Sequence, residues 1–199
     1  MKYVVYLDDG HGAETPGKRT PRFPDGHIMH ENAFNAAVVR QLAAILTAHG
    51  LTVILTSPET SDTPLVTRIR RANLHHAALM KQESFRSVLV SVHANAAGSG
   101  STFNGGQGVE VFYYEGRFRK ESAILAADVH REIIKGTPQT DRGVKTANFY
   151  MIRQPAMPSI LIEGAFMTNR HEAELLESDA FRQECARVIA AGVCRYFGI

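Results

Sequence analysis

The sequence predicts an α/β fold, in which a mainly parallel sheet of about six strands carries helices on both faces. Short apolar or β-branched runs alternate with longer amphipathic stretches, as in βαβ units. No internal repeat, low-complexity tail or linker divides the chain. With 199 residues and 44% hydrophobic content, the chain has enough apolar material for one core, so we expect residues 1–199 to form a single domain.

The predicted elements follow from periodicity along the chain. Period-2 or continuous apolar runs predict strands at residues 3–7, 52–56, 88–92, 109–113, 149–152 and 159–162. Apolar residues at helical spacing predict helices at residues 31–49, 65–81, 118–135 and 180–197. Two polar, Gly-rich stretches, residues 12–25 and 96–107, are expected to be surface loops.

Composition excludes two classes of partner. The formal net charge is only +2 and the basic residues are scattered, so we expect no nucleic-acid binding. No apolar run reaches the about 18 residues of a membrane span. The first residues enter a predicted strand at once, without the features of an export signal, which favours synthesis in the cytoplasm. Cys185 and Cys194 share the last predicted helix at a spacing that prevents a disulfide, and both are expected to be buried thiols.

Metal-ligand side chains follow three of the predicted strands. His11 comes after the first strand, His93 after the third and Glu163 after the last. Ligands of parallel α/β sheets bind outside the carboxyl ends of the strands, so these three side chains should meet at one edge. Two histidines and a carboxylate from distant segments are typical of a metal site.

A hydrolytic zinc site needs three protein ligands and a fourth position for water. His11 and His93 supply two, and we expect Glu31, at the start of a predicted helix, to be the third. If Glu31 is only a helix N-terminal acid, His27 or His30 would take its place. Glu163 then suits the general base that moves protons between water and the leaving nitrogen.

Other hydrolytic mechanisms have no matching motif. The His-Glu-x-x-His zinc helix is absent, because Phe34 stands where the second histidine should be after His30-Glu31. There is no Gly-x-Ser-x-Gly elbow, and neither cysteine follows a strand. The sequence therefore favours metal-dependent over covalent hydrolysis.

The ordered set of motifs resembles the bacterial and phage zinc amidases of the amidase-3 family, and the resemblance covers nearly the whole chain. Its pieces are Asp8-Asp9-Gly10-His11-Gly12, Glu31 with Asn35, Arg68 ahead of Ala72-Asn73, Ser91-Val92-His93-Ala94-Asn95, Gly108-Val109-Glu110, Asp141-Arg142-Gly143-Val144-Lys145, and Pro158 leading into Glu163-Gly164-Ala165-Phe166-Met167-Thr168-Asn169. The resemblance implies one Zn²⁺ on His11, Glu31 and His93, with Glu163 as the catalytic glutamate.

The reaction implied by the resemblance is hydrolysis of the amide bond between N-acetylmuramic acid and L-alanine in peptidoglycan, as in an endolysin or autolysin. Residues 1–199 would be the catalytic domain, acting at the bacterial cell wall. Some relatives carry an inhibitory helix before the strand equivalent to 109–113, whereas residues 96–107 are short and Gly-rich here. We therefore expect an enzyme that needs no activator protein.

Three further residues are candidates for substrate binding. Asn95 would line the site or fix its own loop, and Arg142 would hold a substrate carboxylate in a forked contact or stabilise a turn. Arg68 is the third candidate. The rival functions are a zinc peptidase or deacylase that uses the same four residues on another amide, and a wall-binding or regulatory relative without catalysis.

Overall fold

The computed structural model describes residues 1–81 and 84–199. Six strands form one sheet, in the order β2-β1-β3-β6-β4-β5. The strands are β1 (Lys2–Asp9), β2 (Thr52–Leu55), β3 (Phe85–Asn95), β4 (Val109–Tyr113), β5 (Asp141–Thr146) and β6 (Ser159–Phe166). All neighbouring pairs are parallel except β4 and β6, which are antiparallel. This arrangement confirms the predicted fold class.

Six helices accompany the sheet. They are α1 (Glu31–Ala48), α2 (Leu65–Leu79), α3 (Arg119–Gly136), α4 (Tyr150–Arg153), α5 (Arg170–Glu177) and α6 (Asp179–Phe197). Among the described helices, none is both long and apolar enough to cross a bilayer. Cys185 and Cys194 are free, buried thiols on α6, as predicted.

The two faces of the sheet bury different sets of side chains, because successive strand residues point to opposite faces. One face carries Val5, Leu7 and Val90, which join α1, α3 and α6 in the main core. The other face carries Tyr6 and Leu89, which pack with residues of α2 and α4 in a smaller core. The alternation of side chains along the strands therefore gives each face of the sheet an apolar surface on which helices pack.

The second face is less fully covered at its β4–β5 end. There α4 packs over β6, and the ring of Phe149 contacts the ring of Phe112 on β4 at a centroid distance of 5.3 Å. Phe112 and its β5 partner Lys145 are only half-buried.

The structure differs from the predicted elements in three places. The predicted strand at 149–152 is the helix α4, and a short apolar run of this kind cannot be assigned by periodicity alone. Strand β5 was not predicted, because this polar edge strand has a register shift against β4 and little apolar alternation. Helix α5 was also missed, although Asn169 caps it by accepting hydrogen bonds from the amides of His171 and Glu172.

Candidate active site

The three predicted metal ligands lie together at one edge of the sheet. His11 follows β1, Glu31 opens α1 and His93 lies near the end of β3, and their ligand atoms are all within 4.8 Å of one another. His93 Nδ1 is 3.1 Å from Glu31 Oε1, and His11 Nε2 is 3.5 Å from Glu31 Oε2. The alternatives His27 and His30 are not members of this group.

The backbone of the first loop shapes the group. His11 has a φ of 66°, a left-handed conformation that few non-glycine residues adopt and that turns the chain sharply after β1. A Cβ atom on Gly10 would lie 2.1 Å from His93 Cε1, so only glycine leaves space for that imidazole. Asn35 donates hydrogen bonds to the Gly10 carbonyl and to Glu31 Oε1, which ties α1 to the loop.

Arg68 lies beneath this loop, not in the cleft. Its side chain is 1% exposed, and Nη1 lies 3.0 Å from Asp8 Oδ1. It also donates hydrogen bonds to the carbonyls of Thr63, Asp9 and His11. Its guanidinium is buried and already bonded to the protein, and the predicted contact of Arg68 with substrate stays a prediction. Arg68 supports the turn that presents His11.

The donor set fits a zinc ion. Within the described part of the chain, Glu31 Oε2 and His93 Nε2 are buried without a hydrogen-bond partner, although such atoms are normally satisfied. Burial, reinforced by the neighbouring His93 charge against the opposing effect of Glu31, lowers the pKa of His11 to about 4. This favours the neutral imidazole that a metal ligand requires. Two imidazoles and one carboxylate match the ligands of hydrolytic zinc sites.

Glu163 lies beside the group on β6, where it is the strand partner of His93. Its Oε2 atom is buried without a partner among the described residues. Burial raises its pKa to about 7, with the charge of His93 opposing the shift and that of Glu31 adding to it. A carboxyl group with this pKa can both accept and release a proton near neutral pH.

These residues open into a cleft of about 240 Å³. Its polar side includes His11, His93, Glu163 and Lys18. The rest of the lining forms an apolar wall, which includes two exposed side chains, Leu65 and Phe149, with Tyr150, Met151 and Leu161. The sequence analysis missed this apolar wall, because its members come from three separate elements and form no motif.

Asn95 and Arg142 belong to a polar cluster around Glu110, which is 6% exposed. Asn95 Nδ2 donates to Glu110 Oε1 at 2.7 Å, and Arg142 Nε donates to Glu110 Oε2 at 3.0 Å. Lys145 Nζ also donates to Glu110 Oε2. Glu110 was recognised only as part of a motif, and its position between two cations could not be read from spacing.

Residues 96–107, between β3 and β4, contain no helix. Asn104 donates from its backbone amide to the carbonyl of Thr168, and Ala97 donates to the Thr168 hydroxyl. The loop is thereby fastened to the segment after β6. Its path agrees with the expected short connection.

Two imidazoles and a carboxylate beside a second glutamate, at the carboxyl ends of parallel strands, define the site of a metal-dependent hydrolase. Residues 5–195 match the Amidase_3 family, described as N-acetylmuramoyl-L-alanine amidase. The chain belongs to this family, which confirms the resemblance found in the sequence.

Relatives and solved structures agree with this assignment. The chain is 30% identical over 195 residues to the N-acetylmuramoyl-L-alanine amidase CwlM of Bacillus licheniformis, covering 98% of this chain and 69% of CwlM. The catalytic domain of CwlV, an N-acetylmuramoyl-L-alanine amidase from Bacillus (Paenibacillus) polymyxa var. colistinus, superposes with a TM-score of 0.81 at 30% identity, covering 100% and 99% of the chains. An N-acetylmuramoyl-L-alanine amidase from Clostridium difficile 630 gives a TM-score of 0.83 at 27% identity, covering 99% and 97%.

The raised pKa of Glu163 gives a testable pH dependence of stability in metal-free protein. Its pKa lies above the ordinary 4.5, so the contribution of Glu163 to the stability of the folded wild type falls as pH rises from about 4.5 through about 7. Glu163→Gln lacks this loss. The variant's unfolding free energy relative to wild type should therefore increase by about 2 to 3 kcal/mol over that range. Urea unfolding with EDTA measures the difference, and a value independent of pH would contradict it.

Proposed function

We propose that this chain is a zinc-dependent amidase that hydrolyses the bond between N-acetylmuramic acid and L-alanine in peptidoglycan, with residues 1–199 as its catalytic domain. The observation that carries the proposal is the grouping of His11, Glu31 and His93 beside Glu163 in a member of this family. The site of action is the bacterial cell wall. Synthesis without an export signal stays a prediction.

His11, Glu31 and His93 would hold the zinc ion. When bound, zinc polarises a carbonyl and lowers the pKa of water. The carboxylate of Glu163 accepts a proton from the attacking water as the water oxygen adds to the lactyl carbonyl carbon. Glu163 then gives that proton to the alanine nitrogen as the C–N bond breaks. The products are a muramic acid carboxylate and a stem peptide with a free amino terminus.

The surroundings of Glu163 assist both proton transfers. Burial of Glu163 raises its pKa, and the apolar wall that includes Leu65 and Phe149 limits hydration of the cleft. Lys18 Nζ lies 3.8 Å from Glu31 Oε2 and brings a positive charge to the rim. The cleft therefore holds a proton-transfer group in a poorly hydrated setting that still opens to substrate.

The remaining substrate contacts fall on the β4–β5 side of the cleft. We propose that Arg142 faces the stem peptide, because its side chain is 37% exposed while Glu110 fixes its position. Asn95 fixes the loop that follows β3, since its Oδ1 accepts from the amide of Ala96 and its Nδ2 donates to Glu110. The loop of residues 96–107 supports action without an activator protein.

Mass spectrometry of purified peptidoglycan digested by the purified protein alone tests the proposal. We expect glycan strands free of peptide together with intact stem peptides that begin with alanine. EDTA should abolish the release and added zinc should restore it. Stem peptides cut internally would support the peptidase instead, and binding to the wall without any release would support the non-catalytic relative.

A further inference from the structure

Two cationic side chains converge near the catalytic glutamate without a role in the proton transfers. Lys145 and Arg142, both on β5, donate to the same oxygen of Glu110. Their side chains are 40% and 37% exposed, whereas that of Glu110 is 8% exposed. The Glu110 carboxylate is thus buried, and the side chains of Lys145 and Arg142 reach the surface above it.

The strand register fixes how far this pair is from the reaction. Glu110 is directly opposite Glu163 in the antiparallel pair of β4 and β6, so both side chains stand on the same face of the sheet. Opposed residues of this kind have Cβ atoms about 5 Å apart. The strand β5 lies two strand spacings, about 10 Å, from β6, and the bonds to Glu110 draw the two cations back toward β4 on this face.

The charges of the cluster do not cancel. Burial alone would raise the pKa of Glu110, but the hydrogen bonds from Lys145 and Arg142 outweigh this and hold its pKa below the ordinary value. Glu110 is therefore ionised and offsets one of the two positive charges. Arg142 also interacts with the buried carboxyl group of Glu172, whose pKa burial raises. The cation with charge to spare toward the open side of the sheet is therefore Lys145, where a second carboxylate can be accepted.

We infer that Lys145 and Arg142 form a carboxylate-binding subsite, which selects stem peptides with a free carboxylate on the residue after alanine. The inference rests on the proposed amidase function. With the scissile nitrogen at Glu163, the next residue of the stem begins about 3.8 Å beyond the alanine Cα. A carboxylate on that residue comes within reach of the Lys145 ammonium. A carboxamide at the same place would leave the excess charge unpaired.

The test compares two synthetic N-acetylmuramoyl peptides that are identical except at the residue after alanine, which carries a free carboxylate in one and a carboxamide in the other. Wild-type protein with zinc should show a kcat/KM about tenfold to a hundredfold higher on the carboxylate substrate. Lys145→Met should remove this preference through a higher KM on the carboxylate substrate alone. Lys145→Arg should retain it, because the cation remains.

Lys120→Met is the matched control, since Lys120 is an exposed lysine on α3. It should leave both kcat/KM values unchanged. Equal rates of wild type on the two substrates, or an equal loss on both in Lys145→Met, would overturn the subsite while leaving the amidase function intact. An equal loss on both substrates would mean that Lys145 only stabilises the position of β5. Failure of wild type to cleave either substrate would overturn the proposed function and this inference together.

Discussion

Replacing Glu163 with glutamine should lower kcat by about a thousandfold while the protein still binds one equivalent of zinc. General acid–base catalysis contributes about 10² to 10⁴ to a rate, and Glu163 both takes and returns the proton. The amide of glutamine fits the same space but can do neither. Release of stem peptides from purified peptidoglycan measures the rate, and elemental analysis measures the metal.

Glu121→Gln is the matched control, because Glu121 is exposed on α3. It should keep wild-type kcat and metal content. A Glu163→Gln protein that retained more than about a tenth of wild-type kcat would contradict the assigned role. Loss of zinc from Glu163→Gln would instead place Glu163 among the metal ligands.

Arg68→Met should destabilise the protein by about 3 to 5 kcal/mol. The substitution leaves Asp8 buried without its cation, and breaking a buried ion pair from one side has a cost of this size. It also removes the side-chain donor to the Thr63 carbonyl and one of the two side-chain donors to the His11 carbonyl. Urea unfolding of the metal-free protein measures the change directly.

Arg70→Met, an exposed position on the same helix, controls for the loss of a positive charge from α2. We expect a change below about 0.5 kcal/mol there. If Arg68→Met were as stable as wild type and instead raised KM for peptidoglycan, Arg68 would have to reach substrate after all. A destabilised protein that still binds zinc at low temperature would agree with a supporting role.

The grouping of the three proposed metal ligands was predictable because their positions follow from the strands. His11 and His93 come at the ends of strands whose apolar pattern is plain, and parallel strands bring their carboxyl ends to one edge. Predicting Glu31 required one more inference, that an amphipathic helix begins at this residue. The same reasoning gave Glu163. The apolar pattern and the sheet topology together therefore predict the position of residues that lie at strand ends or helix starts.

The sequence pattern does not place every side chain, because some positions depend on how far a side chain reaches. Arg68 belongs to the ordered motifs as much as His93 does, yet its long side chain runs under the loop to Asp8. Whether a guanidinium points to a cleft or to a buried carboxylate is set by packing, which spacing does not encode. Strand β5 was missed for a related reason, because an edge strand needs no apolar alternation.

The reversed direction of β4 has a consequence for how such a site can change over time. Reversal brings the beginnings of β4 and β5 to the edge where β1, β3 and β6 end. The proposed metal ligands and Glu163 thus lie on or beside β1, β3, β6 and α1, whereas Arg142 and Lys145 lie on β5. With the proposed subsite on β5, substitutions at Arg142 or Lys145 would change which wall peptides are preferred and leave the proposed hydrolytic residues in place, so bond cleavage and peptide preference could evolve separately.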